Sequence, residues 1–190
     1  MMDADNPIAD KPKASRWRGK PILFVAILIV MLSVTAPVLF VRFIAQPVRV
    51  QGKAMLPTLK DGDRIFVSKH FGKLQRNDII VFRFPLDPSK SFIKRIVGLP
   101  GETIRMDKEG QLFINDTPVS EPYLLPTRNL YPHPIAEQRI AADHYFVMGD
   151  NRDASNDSRS WGTVSQSLIY GRYLFRCWSI EDESEEIFQR

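Results

Sequence analysis

From Ile22 to Val41 the chain reads ILFVAILIVMLSVTAPVLFV, 20 residues without a charge, and no other feature limits its architecture as strongly. As a helix, such a run covers the roughly 30 Å hydrocarbon core of a bilayer. A small soluble domain has little interior in which to hide an apolar cylinder of that length. Pro37 lies within the run, which membrane helices tolerate better than soluble ones. A cleavable leader is the rival reading, but its apolar region spans only about 7–15 residues and ends at a small-x-small site. The nearest candidate, Val34-Thr35-Ala36, is followed by Pro37, an awkward residue to cut before. The sequence therefore predicts a permanent transmembrane anchor over residues 21–44.

The flanks set its direction. Lys11, Lys13, Arg16, Arg18 and Lys20 crowd the N-terminal side, whereas only Arg42 and Arg49 come soon after on the other. The positive-inside rule places the basic tail, residues 1–20, in the cytoplasm and residues 45–190 outside. In a bacterium that is the outer face of the inner membrane, with the lipid bilayer as a partner of the single-pass chain. The net charge is +4, but residues 1–44 hold six Lys/Arg against three Asp and so carry most of it. The exported part has no basic footprint for nucleic acid. The lone Cys177 excludes an intrachain disulfide, and its place near the end of a hydrophobic strand predicts a core position. His70, His133 and His144 are scattered without ligand spacing, so neither a metal nor another cofactor is expected.

Beyond the anchor, short runs rich in Val, Ile and Phe alternate with turn punctuation, which predicts a mostly β domain over residues 45–190. Candidate strands are Pro47–Val50, Arg64–Ser68, Asp78–Phe84, Ser91–Val97, Thr103–Met106, Gln111–Ile114, His144–Met148 and Gly171–Trp178. Pro85–Pro88 reads as a turn. The stretch of about 119–140, Pro-rich from Glu121 to Pro134, reads as an insertion wandering over the surface. The acidic end from Glu181 to Glu186 reads as a solvated tail.

Three motifs carry chemistry. The first is Gly52-Lys53-Ala54-Met55-Leu56-Pro57-Thr58-Leu59 with Asp61-Gly62-Asp63. The second is Phe92-Ile93-Lys94-Arg95-Ile96-Val97-Gly98-Leu99-Pro100-Gly101. The third runs from Met148 through Gly149-Asp150-Asn151-Arg152-Asp153-Ala154-Ser155-Asn156-Asp157-Ser158-Arg159 to Gly162. In this order after a transmembrane span, they resemble the boxes of the type I (bacterial) signal peptidases, endopeptidases with a serine/lysine dyad. The resemblance runs from the anchor to about Gly171. It implies a signal-peptidase-like β-barrel domain on one N-terminal transmembrane helix. The implied activity is removal of signal peptides from exported preproteins at the membrane surface.

A serine nucleophile needs a base that is unprotonated near neutral pH, and a lysine serves if burial lowers its pKa. The resemblance implies that Lys94, flanked by Phe92, Ile93, Ile96 and Val97, is the general base. It implies that Ser155 orients Lys94 and that Asp157 and Arg159 are a structural pair supporting the loop. Signal peptides are expected to bind as an added β-strand, with Val50, Met55, Phe92 and Ile93 as candidate pocket walls; any of the four fits a core role equally well.

The serine that opens the family's first box is Ala54 here. A methyl group neither attacks nor donates, and deleting a protease nucleophile costs on the order of a millionfold in turnover. Thr58 offers a hydroxyl but at a different position. The backbone N–H of Ala54 remains available to an oxyanion. Retention of the tail and anchor reads as native divergence rather than a substrate-trapping substitution. Two functions are consistent with this pattern: a signal peptidase, active once residue 54 is serine, or an inactive homologue that binds signal peptides or regulates a working paralogue. A purely structural domain would have no use for a buried lysine. A soluble self-cleaving repressor is excluded because the span replaces any DNA-binding domain.

Overall fold

The computed structural model describes residues 20–43 and 45–178; the basic tail and the acidic end expected from sequence lie outside them. The chain divides into two compact units, residues 1–40 and 41–190. In the first, helix α1 spans Lys20–Phe43. Its described side chains, Ile22–Ala36 and Leu39, are exposed on every side of the helix, Ile22 at 71% and Leu28 at 66%. The hydroxyls of Ser33 and Thr35 donate back to the carbonyls of Val30 and Met31, each at 2.8 Å, so neither polar side chain needs water. Among the described residues no helix is long and apolar enough to cross a membrane.

The second unit is built of antiparallel strands, β1 (Ala45–Arg49), β2 (Arg64–Ser68), β3 (Ile79–Phe84), β4 (Asp87–Gly98), β5 (Thr103–Met106), β6 (Leu112–Ile114), β7 (Thr117–Pro118), β8 (Ile135–Arg139), β9 (His144–Met148), β10 (Val164–Ser165) and β11 (Ile169–Trp178), with a short helix α2 (Ser158–Trp161). They form a seven-stranded sheet in the order β1-β2-β11-β3-β4-β9-β10 and a four-stranded sheet in the order β7-β6-β5-β8. The mostly β domain is thus present. Among the described residues the large ladder runs from β1 to β10, and those two edges are not paired with each other.

β3 lies inside the large sheet and buries Ile79, Ile80, Val81 and Phe82 in succession, which is why it reads as a continuous apolar run. β5 and β6 bury alternate residues, as strands with one wet face do. β4 links the two cores. Ile96 packs with Phe82 and Val147 of the large sheet, while Val97 faces the small-sheet core of Ile104, Leu112 and Phe146. The ladder to β9 shifts register between Ile96 and Gly98. A Cβ at Gly98 would collide with the end of the Ile140 side chain and stand 3.1 Å from the Phe146 Cβ, so any larger residue requires these neighbours to shift.

Three expectations change. The turn after β3 is shorter than expected, and Pro88 lies within β4 where the ladder to β3 is irregular between Arg83 and Phe84, a position that lacks no essential donor. Residues 135–139 form β8 on the edge of the small sheet rather than surface loop. The two-residue strands β7 and β10 are too short to leave a pattern. Cys177 is exposed, not core. The outer half of β11, from Leu174 onward, carries exposed residues irrespective of their alternation.

Candidate active site

The first motif is a loop pinned at both ends. Val50 N–H donates to Asp63 O at 2.8 Å and Gly62 N–H to Val50 O at 3.0 Å. Gly52 adopts φ +83°, which favours glycine, and its N–H donates to Asp61 Oδ1 at 2.8 Å. Met55 and Leu59 are 1% exposed and anchor the following turn in the core with Ile65 and Val67. Ala54 is left half-buried at the loop's surface. Its N–H donates to no protein acceptor among the described residues.

The third motif grips this loop from the other side. Asn151 donates through its N–H to Ala54 O and through Nδ2 to Lys53 O, both at 3.0 Å. A Cβ at Gly149 would overlap Ser155 Oγ and lie 2.5 Å from Ala54 O. Both groups therefore rest against the same glycine, and the structure brings residues 54 and 155 together there. Asp157 accepts from Arg159 Nε at 2.8 Å and from Gly149 N–H at 3.0 Å. Arg159 in turn donates to Arg152 O at 2.7 Å. Burial pushes the Asp157 carboxyl up, but the Arg159 fork outweighs it and holds the group below the usual carboxylate range. The Ser155 hydroxyl is buried and acts on the Asp157 carboxylate, helping to hold that group's pKa down.

β4 supplies the base candidate. Lys94, opposite Ile80 on β3, is 5% exposed. Its Nζ lies 5.5 Å from the centre of the Phe92 ring, and among the described residues it has no ion-pair partner. Burial is the main reason its pKa falls from 10.5 to about 8; the Asp157 charge raises it and the Arg159 charge lowers it. A lysine with that value is partly neutral near pH 7–8 and can accept a proton.

Lys94 and Ala54 line one cavity of about 560 Å³, together with all four candidate wall residues, Val50, Met55, Phe92 and Ile93. Val50 and Met55 also belong to the core. Ser155 does not line the cavity itself; its neighbours Ala154 and Asn156 do. Tyr170, Ser89 and Ser91 also line it. Sequence reasoning missed these three: Tyr170 reaches the site only through the pairing of β11, Ser91 reads only as the start of a strand, and Ser89 falls between the expected turn and that strand. Thr58 is not a spare nucleophile: its hydroxyl donates to Asp150 Oδ2 at 2.5 Å, inside the Arg95–Asp150 ion pair.

A buried lysine without an ion-pair partner at the wall of an open cleft, beside a loop held by ion pairs, has the base and the support of a lysine-assisted peptide hydrolase. Residues 21–178 match the family described as signal peptidase, peptidase S26, and the chain belongs to that family of serine-type endopeptidases. It is 39% identical over 186 residues to signal peptidase I P of Bacillus subtilis subsp. natto, covering 92% of this chain and 94% of that one. It is 38% identical over 183 residues to a probable signal peptidase I-1 of Synechocystis, covering 88% and 87%. A solved signal peptidase I from Enterococcus faecalis is 32% identical, with a TM-score of 0.49 over 56% of this chain and 100% of that one. The family assignment rests on the sequence matches.

Proposed function

We propose that residues 45–178 are the cleaving unit of a signal peptidase that removes signal peptides from exported preproteins. The observation that carries this reading is Lys94, buried and unpaired, in one cavity with residue 54. In a chain with serine at 54, Lys94 takes the hydroxyl proton as the oxygen attacks the scissile carbonyl. The N–H of residue 54 receives the oxyanion. The lysine then returns its proton to the leaving amine, and water releases the acyl group by the reverse sequence. Ser155 orients Lys94, the Asp157–Arg159 pair holds the loop, and Val50, Met55, Phe92 and Ile93 receive the substrate's small side chains.

Ala54 supplies no attacking oxygen, so the acyl step just described requires serine at residue 54. A second reading, a signal-peptide holder or regulator of a working paralogue, rests on Ala54 alone. The anchor belongs to the same proposal. α1 is apolar on all its described faces, as a membrane helix is, and the basic flank puts its N-terminus in the cytoplasm.

The test is preprotein processing in membranes by the unmodified chain and by Ala54→Ser. Cleavage by the serine form alone is the expected result. Cleavage by the unmodified chain places the nucleophile elsewhere, and silence from both while peptide binding persists favours the holder.

A further inference from the structure

Glu121 and Tyr123 belong to the Pro-rich segment that matches none of the three motifs, yet they meet the motif residues at their backs. Glu121 Oε1 accepts from Tyr123 Oη at 2.6 Å and from Arg152 Nη2 at 2.5 Å. The Glu121 and Arg152 side chains are only 6% and 5% exposed. The Tyr123 ring covers the Arg95 guanidinium, 4.0 Å from ring centre to Cζ, and Arg95 grips Asp150 through Nε and Nη2 at 2.8 and 2.6 Å. Arg152 Nε donates to Gly149 O at 3.1 Å. The same segment takes hold of the loop twice more: Asn129 Oδ1 accepts from Arg152 N–H at 3.2 Å, and Asp153 accepts from the N–H groups of Leu130 and Tyr131 at 2.8 and 3.0 Å.

Every member of this network is one step from the cleft. Asp150 and Arg152 flank Asn151, which holds the carbonyls of residues 53 and 54. Arg95 comes directly after Lys94 in β4. Gly149 touches Ser155 and Ala54. A buried carboxylate between a guanidinium and a phenol is costly unless both partners stay in place, so Glu121 gives the loop one arrangement. Tyr123 remains a donor, since burial first and the Glu121 charge second push its phenol well above the usual range.

We propose that Glu121, with Tyr123, is a positioning residue that fixes the loop 149–155 against residue 54 and Lys94 from outside the motifs. This rests on the signal-peptidase reading only for its catalytic consequence; the positioning itself is measurable in the chain as it stands.

The experiment uses the full chain in detergent micelles, with amide exchange read residue by residue and the Lys94 side chain titrated by NMR. Glu121→Gln keeps the shape and removes the charge. The expected result is that the Asn151 amide exchanges roughly tenfold faster or more, with amides of β3 unchanged and the Lys94 midpoint displaced from that of the parent. Tyr123→Phe removes only the phenol donor and gives the same changes in smaller measure; it carries the test if Glu121→Gln does not fold. Unchanged Asn151 exchange and an unchanged Lys94 midpoint in the folded variant overturn the proposal. So does a uniform acceleration across both sheets, which marks mere loss of stability. In the Ala54→Ser chain, Glu121→Gln is expected to lower kcat more than it raises KM. If Ala54→Ser never cleaves, the functional reading fails, while the exchange result still decides the role of Glu121.

Discussion

The two sheets of the β unit treat charge in opposite ways. The core beneath the small sheet, Ile104, Met106, Leu112, Ile114, Ile135 and their neighbours, buries only apolar side chains. The large sheet and its loops hold the charged residues that are buried as whole residues, Asp63, Lys94, Arg95, Asp150, Arg152 and Asp157, and the buried Glu121 side chain reaches them from the segment between β7 and β8. Five of these six have an opposite charge, in the pairs Arg176–Asp63, Arg95–Asp150, Arg152–Glu121 and Arg159–Asp157. Lys94 alone makes no ion pair among the described residues, the Asp157 charge acting on it only from a distance. An unpaired buried charge costs several kcal/mol, and the small sheet shows that this fold can build a core without that cost. The lysine is a feature that stability opposes, as expected where a group must lose its proton to work.

The comparison is broken most directly by Lys94→Met. In the Ala54→Ser chain it is expected to reduce preprotein cleavage by on the order of 10⁴ or more, while urea unfolding shows no loss of stability, because a similar apolar shape replaces a buried charge. Persistent cleavage would remove Lys94 from the chemistry. Next in size is Asp150→Asn, which strands Arg95; a loss of about 3–5 kcal/mol is expected in the same unfolding assay.

Titration sharpens the contrast. The folded Lys94 value of about 8 lies below the ordinary 10.5. Below pH 8 both states keep the proton, and the folded state carries the full burial cost. As the pH climbs from about 8 to 10.5 the folded chain releases its proton first, so stability rises, by up to about 3 kcal/mol. The rise is read as the difference between the chain and Lys94→Met across that range. Cleavage by Ala54→Ser should increase with a midpoint near the same lower value. The smallest effect belongs to the other sheet: Ile104→Val is expected to cost about 0.5–1.5 kcal/mol and to leave the cleavage midpoint where it was.

The long apolar strands and the three motifs were legible because each carries its signal locally. β2, β5 and β9 have the bounds that alternation and turn residues set, and Asp157 and Arg159 pair two residues apart, where spacing alone brings them together. β8 was not legible: Ala136, Glu137, Gln138 and Arg139 are exposed, and the strand exists because β5 offers it a ladder. The fate of Cys177 was hidden for a similar reason, since burial in β11 depends on which neighbours cover each half. Glu121 gave no signal at all. A single acid in a Pro-rich stretch is solvated by default, and only the return of the chain over Arg95 and Arg152 makes it a buried partner.

The sequence by itself determined the apolar helix, the mostly β character of residues 45–178, the family and the absence of a hydroxyl at residue 54. These depend on residue type, short-range periodicity and near-neighbour order. The tertiary structure decided that Lys94 is stripped of water without an ion-pair partner, that the Ala54 carbonyl and Ser155 pack against the same Gly149, and that a segment outside the motifs braces the loop. Each of those joins residues distant in sequence, and desolvation is a property of what surrounds a side chain, which no local pattern encodes.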